Sequence, residues 1–211
     1  LWDVRTRREL TAFPIGGIPV CRAQNPIAFS RGAELFALAS GTGTVDVWDV
    51  AKRIRVASLS GRKSPFCLSF SPDRSLLAVG YHAGNILELW ELSRQQRVYS
   101  LTNEAATVSS MAFSSDGKML AYACLSDSAI RLWDVAARRI VRKFQGHSAW
   151  VTTLAFSPDD RTLASASADQ TVMLWNIGTG ESATLHGHLN EVWALGMAPD
   201  GRTLATGTKV D

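Results

Sequence analysis

The chain is 211 residues long, and its 22 Lys and Arg exceed its 19 Asp and Glu by three. A chain of this length can bury one large core, and its near-balanced charge excludes a disordered polyelectrolyte and does not indicate a strongly polyanionic partner. Every apolar run falls well short of the roughly 20 residues that cross a membrane, so we expect no membrane association.

In chain order, residues 1–3 predict the end of a third strand and residues 7–13 predict an outer strand, so 1–13 is interpreted as half a structural unit. The stretch 14–26 contains Pro and Gly and predicts an irregular connection. Each of the next four segments predicts four strands, and the last predicts two. These segments are 26–60, 64–102, 107–145, 148–185 and 192–211.

The segment 148–185 shows the pattern of one unit most clearly. Apolar runs over 151–156 and 171–175 are rich in β-branched and aromatic residues, a run of small residues covers 162–168, and a polar run covers 181–185. Turn residues separate these runs, which predicts four short strands. Both faces of the first and third runs are apolar, which indicates a sheet that is buried on both faces.

Two short phrases recur at a nearly constant interval. Trp followed by an acid or amide occurs with spacings of 46, 42, 43 and 42 residues, and Phe-Ser or its equivalent precedes each second strand. A period in the low forties with Gly-His and Trp-Asp marks is typical of WD40 repeats. The chain therefore resembles the WD40 family over essentially its whole length. The positions are Trp2, Trp48, Trp90, Trp133 and Trp175, with Phe29, Phe70, Phe113, Phe156 and Met197.

The resemblance implies an all-β fold, a WD40 β-propeller with four complete four-stranded blades and a half-blade at each end. The blades would form an open arc or an imperfectly closed ring, as a single domain over 1–211. Joining Asp211 to Trp2 would leave too few residues for a third strand. We therefore expect the sequence to be a window on a longer array, similar to those of prokaryotic WD40 proteins.

The resemblance also implies a polar chain in blade 148–185, running from the Trp175 indole through Ser165 and His147 to Asp169. Ser, His and Asp also form hydrolase triads. No Gly-x-Ser-x-Gly turn is present, and the indole would occupy the hydroxyl, so we interpret the set as structural and expect no catalytic residue.

The other blades keep only parts of this set, and we expect them to depend more on packing. Blade 107–145 has Glu104 in the histidine place and Tyr122 in the hydroxyl place. The retained members are Asp127, Trp133, Trp90, Trp48 and, in the last half-blade, His188.

WD40 proteins usually bind partners on the face with the loops that enter the first strands. By register, the residues there are Ser64, Thr107, Trp150 and Glu191. An exposed Trp150 would be a typical interface anchor. The alternative is that Trp150 covers the core of its blade, and the sequence leaves both open.

Basic residues follow each Trp-acid pair, at Arg5, Arg7, Arg8, Lys52, Arg53, Arg55, Arg94, Arg97, Arg138, Arg139, Arg142 and Lys143. They indicate either an anionic partner or protection of an outer sheet edge. Acidic neighbours dilute the charge and no aromatics interleave, so nucleic acid is not the expected partner.

No metal or cofactor is expected. His186 and His188 form an H-x-H pair, but His188 lies at the Gly-His position of its blade, and no Cys pair has ligand spacing. No phosphate-binding loop is present. Cys67 and Cys124 lie in apolar runs predicted to be inner strands, which favours small core residues and a reducing, cytoplasmic location.

These features together predict a non-catalytic scaffold for protein or peptide partners. The alternative is a sensory or regulatory propeller within a larger signalling enzyme, for example one appended to a protein kinase.

Overall fold

A computed structural model describes residues 1–3, 5–9, 12, 27–40, 43–61, 65–82, 86–102 and 107–208. The connection predicted over 14–26 lies outside these residues. Within the described ranges all regular structure is β-strand. They contain no helix with the length and apolar character that a membrane crossing requires.

The strands form six antiparallel sheets in chain order, each a simple meander. The first sheet has two strands, β1 (Trp2–Asp3) and β2 (Arg8–Glu9). The second has β3 (Ile27–Phe29), β4 (Leu35–Ala39), β5 (Thr44–Asp49) and β6 (Ile54–Ser60). The third has β7 (Pro65–Phe70), β8 (Leu76–Tyr81), β9 (Ile86–Glu91) and β10 (Gln96–Thr102).

The fourth sheet has β11 (Val108–Phe113), β12 (Met119–Cys124), β13 (Ile130–Asp134) and β14 (Arg139–Phe144). The fifth has β15 (Val151–Phe156), β16 (Thr162–Ser167), β17 (Val172–Asn176) and β18 (Ser182–Leu185). The sixth has only β19 (Val192–Met197) and β20 (Leu204–Thr208). Four four-stranded sheets flanked by two-stranded ones confirm the predicted architecture.

The Phe-Ser phrase produces the turn between the first and second strands. The Ser157 hydroxyl donates to the Asp159 carboxylate at 2.6 Å and accepts the N–H of Thr162, where β16 begins, at 2.9 Å. Ser71 and Ser114 make the same pair of bonds in their sheets. The short side chains therefore satisfy the backbone of the turn, as Ser and Asp do in tight turns.

The sheets stack face to face, and the first strand of each lies beside the first strand of the next from β3 through β7, β11 and β15 to β19. The core therefore lies between sheets, in clusters that each join residues of two neighbours. Among the described residues no comparable contact joins β1–β2 to β19–β20, so the sheets form an open arc.

Hydrogen bonds at the start of the first strands link adjacent sheets. The bulged residue Ser109 donates to the carbonyl of Val151 at 2.7 Å, and Thr152 donates to the carbonyl of Val192 at 2.5 Å. Each bond satisfies a buried hydroxyl and fixes one sheet against the next.

Cys67 and Cys124 are buried free thiols in the same apolar cluster. Cys67 lies on the first strand β7 of its sheet, and Cys124 ends the second strand β12 of the next sheet. Burial raises the pKa of the Cys67 thiol far above its ordinary range, so the thiol stays protonated.

Candidate functional site

One polar chain crosses the sheet β15–β18 and reaches the loop that enters β15. The Trp175 indole donates to the Ser165 hydroxyl at 2.8 Å, and Ser165 Oγ lies 2.7 Å from His147 Nε2. His147 Nδ1 lies 2.8 Å from Asp169 Oδ2. The structure thus brings together all four residues of the chain that the resemblance implied.

The chemistry of the two ends fixes the direction of the bonds made there. An indole N–H can only donate and a carboxylate can only accept. Ser165 therefore accepts from Trp175, and His147 Nδ1 donates to Asp169. Each ring nitrogen and the hydroxyl then has a partner, as buried polar groups require.

Burial separates this set from a hydrolase triad. Ser165 is completely buried and the His147 side chain has no exposed surface. A nucleophilic hydroxyl must reach a substrate carbonyl, which the Ser165 hydroxyl does not. The chain of bonds therefore acts as a structural brace.

Asp169 extends the brace to the entry loop 146–150. Its Oδ2 also accepts the backbone N–H of Ser148 at 2.9 Å, and its Oδ1 accepts from the hydroxyl and N–H of Thr171. Burial alone would raise the pKa of the Asp169 carboxyl, but the bonds from Thr171, Ser148 and His147 outweigh it and hold the pKa below its ordinary value. The carboxylate is therefore ionised at neutral pH.

Trp150 ends this entry loop with its backbone fixed and its ring partly in solvent. Its carbonyl accepts from the Ala168 N–H at 3.1 Å and the Ser167 hydroxyl at 3.0 Å, while 37% of the residue remains exposed. The next entry loop, 187–191, carries Leu189, which is 87% exposed. We refer to loops 146–150 and 187–191 together as the entry-loop face.

The other residues predicted on this face differ from Trp150. Thr107 does precede β11, but its side chain is buried and its hydroxyl bonds to His82 Nδ1 at 2.9 Å. Glu191 is half-buried and accepts from the Trp193 indole at 3.0 Å. Ser64 lies outside the described residues.

The sheet β11–β14 contains a different polar arrangement. Asp127 pairs with Arg131 at 2.6 Å instead of with a histidine, and the Arg131 guanidinium lies 5.8 Å from the centre of the Tyr122 ring. The buried Tyr122 hydroxyl finds no hydrogen-bond partner among the described residues, and burial raises its pKa to about 12. Trp133 packs against the Tyr99 ring at 5.1 Å. Glu104 lies outside the described residues.

The sheet β7–β10 has a buried network that the sequence did not predict. Glu88, 2% exposed, accepts from the Tyr81 hydroxyl at 2.7 Å and the Trp90 indole at 3.1 Å, and pairs with Arg97 at 2.6 Å. This blade therefore has a polar network of its own, built mainly from residues outside the set that the resemblance implied. The sequence did contain one signal for this network, a charged residue two positions before Trp in an otherwise apolar strand. The next sheet has Arg131 at the equivalent position.

The remaining partial sets differ in extent. Trp48 stacks on Phe36 with ring centres 6.4 Å apart. His188 Nε2 bonds to the Thr206 hydroxyl at 2.8 Å, which repeats the contact between His147 and Ser165 in the last sheet. This bond occupies one ring nitrogen of the H-x-H pair. Among the described residues no group of three or more His, Cys, Asp or Glu could hold a metal ion.

Some of the basic residues after the Trp-acid pairs have local partners. Four of them pair with acids within the same sheet, as Lys52–Asp49, Arg55–Asp46, Arg94–Glu91 and Arg97–Glu88. Arg142 instead donates to the carbonyls of Gly178 and Thr179 in the next sheet. These five side chains reinforce the outer strands.

Comparisons with known proteins agree with the repeat. A family model described as "WD domain, G-beta repeat" matches residues 138–176 and 180–209, and one described as "Anaphase-promoting complex subunit 4 WD40 domain" matches residues 68–154. The chain is similar to "WD repeat-containing protein dyf-2" of Caenorhabditis elegans, with 35% identity over 66 residues. The matched part covers 29% of this chain and 5% of that protein.

Proposed function

Because the chain belongs to the WD40-repeat family, we propose that it is a non-catalytic scaffold that binds protein or peptide partners through its entry-loop face. WD40 repeats generally mediate contacts between proteins. The observation that carries the assignment to this face is Trp150, which is partly exposed while its backbone carbonyl is held by Ser167 and Ala168.

The brace supplies what an interface anchor needs. Ser167 and Ala168 hold the carbonyl of Trp150, and Asp169 holds the N–H of Ser148 two residues before it. A loop that is already ordered loses little conformational entropy when a partner binds. Tryptophan is enriched among the residues that dominate binding energy, and Leu189 on the adjacent loop extends the apolar surface.

Two further observations support a scaffold that binds protein. The Ser165–His147–Asp169 set is sealed within its sheet, so the residue types closest to a catalytic triad are used for structure. Several basic residues on the outer strands, among them Arg97 and Arg142, bond to acids or carbonyls, and nucleic-acid binding depends on basic side chains that are free to meet phosphates.

A photocrosslinking experiment tests the face directly. A photoreactive amino acid is placed at Leu189 in one variant and at Arg94, in the turn between β9 and β10, in a control. A partner protein that binds the entry-loop face should crosslink through position 189 and not through position 94. Crosslinking through position 94 alone, with none through position 189, would reject the entry-loop face.

A further inference from the structure

The turns between first and second strands meet around one cavity at the other end of the first strands. The equivalent turn residues of five successive sheets line it, and its volume is about 500 Å³. These residues are Arg31, Pro72, Ser115, Pro158 and Pro199. We call this space the turn-side cavity. Its size lies within the range of pockets that hold small ligands or side chains.

Most of the residues that line the turn-side cavity are apolar. Phe70, Phe113, Phe156 and Met197, the last residues of their first strands, all contribute to it. The serines in the lining are largely engaged within the protein. Ser114 donates to Asp116, Ser157 donates to Asp159, and Ser115 bonds to the Asp160 carboxylate. An apolar group is therefore the part of a ligand that this wall accommodates best.

Arg31 breaks the pattern of the turns. It is the one charged residue among the described residues that line the cavity, and its side chain is exposed. The turns of the next four sheets carry an acid at the following position, Asp73, Asp116, Asp159 or Asp200, but Gly32 follows Arg31. Among the described residues Arg31 has no ion-pair partner. Its guanidinium is therefore available to a carboxylate.

We propose that the turn-side cavity is a second binding site, for a peptide that inserts an apolar side chain and places an adjacent carboxylate on Arg31. The apolar wall supplies burial, and the single guanidinium selects an acidic neighbour by a charge-assisted hydrogen bond. This site lies at the opposite end of the first strands from the entry-loop face, so the two sites can be occupied independently.

The test uses two fluorescent tripeptide amides that differ only in charge, dansyl-Leu-Phe-Glu and dansyl-Leu-Phe-Gln. Fluorescence anisotropy with the full chain gives the Kd of each. The acidic peptide should bind at least about tenfold more tightly than the neutral one. Arg31→Ala should remove that difference, and Arg31→Glu should reverse it. Equal binding of the two peptides to the unaltered chain, or a difference that survives Arg31→Ala, would overturn the proposal.

Three further variants locate the site. Ala198→Trp places a bulky ring in the cavity lining and should abolish binding of both peptides; unchanged binding would contradict the assignment. If this variant does not fold, the comparison at Arg31 decides alone. Arg202→Ala, in the equivalent turn of the last sheet but outside this lining, should leave both Kd values unchanged. Trp150→Ala should also leave them unchanged, which separates this site from the entry-loop face.

Discussion

Removing the Asp169 carboxylate tests the brace that holds the entry loop. In Asp169→Ala, the His147 Nδ1–H loses its carboxylate acceptor and keeps only the more distant Thr171 hydroxyl at 3.2 Å, and the N–H groups of Ser148 and Thr171 lose their acceptors near the surface. The His147 side chain has no exposed surface, so water does not replace the lost partner. The buried ring nitrogen therefore accounts for most of the expected loss.

The magnitude follows from the burial of that donor. An unmade buried hydrogen bond costs about 1–3 kcal/mol, and towards the upper end when one partner is charged. The groups near the surface can bond to water and add little. We therefore expect Asp169→Ala to lower the free energy of unfolding by about 2–3 kcal/mol. In a His147→Ala background the same substitution should cost much less, because the donor is already absent.

Urea unfolding followed by tryptophan fluorescence measures these losses, with Asp159→Ala as the matched control. Asp159 is an exposed turn acid that accepts from Ser157 and Arg161 and contacts no histidine, so its loss should be clearly smaller. Amide exchange at Ser148 should accelerate in Asp169→Ala and not in Asp159→Ala. Equal shifts in the urea midpoint for the two variants, at unchanged slope, would refute the brace.

Three other substitutions test separate parts of the structure. Glu88→Gln should lower the free energy of unfolding by about 1–3 kcal/mol in urea melts, because it weakens the buried bonds to Tyr81, Trp90 and Arg97; no loss would show that this network is unimportant. The pKa of the Asp169 carboxyl is lowered in the folded chain, so its stabilisation is present at neutral pH and is lost as the pH falls below about 4. When the pH is lowered from about 5 to about 3, Asp169→Asn should therefore lose less stability in urea melts than the unaltered chain does. Equal losses in the two proteins would count against this reasoning. Ala33 has a φ of 55°, which strains a residue with a side chain, so Ala33→Gly should raise the thermal midpoint. Ala51→Gly, in a turn without that strain, should not raise it. A lower midpoint for Ala33→Gly would contradict the strain argument.

The sheet order could be predicted from local spacing, whereas the chain Trp175–Ser165–His147–Asp169 was implied by the resemblance to WD40 repeats. The Trp-to-Trp interval fixes the length of one meander, and meander strands pair with their sequence neighbours. Within a meander of fixed register, Ser165 and Trp175 lie on adjacent strands and the loop residue His147 reaches them. All four members therefore lie within one repeat, so the resemblance of that repeat was enough to indicate them.

The network around Glu88 could not be predicted in the same way, because only Trp90 among its members belongs to the set that the resemblance implied. Tyr81 ends β8, Glu88 and Trp90 lie on β9, and Arg97 lies on β10. A charged residue in an apolar strand indicates a buried partner but does not identify it. Thr107 shows a similar limit to predicting surfaces from sequence. Its place before β11 could be predicted, but its burial and its bond to His82 could not.

The affinity of the crosslinked partner for two tryptophan variants tests the central proposal most directly. Trp150→Ala removes the indole of the entry-loop face, and Trp2→Ala removes an indole that is 68% exposed elsewhere on the chain. Calorimetric titration of the purified partner should show that Trp150→Ala weakens binding by about 2 kcal/mol or more, roughly 30-fold, while Trp2→Ala has no effect. An unchanged Kd for a folded Trp150→Ala variant would contradict the assignment of partner binding to this face.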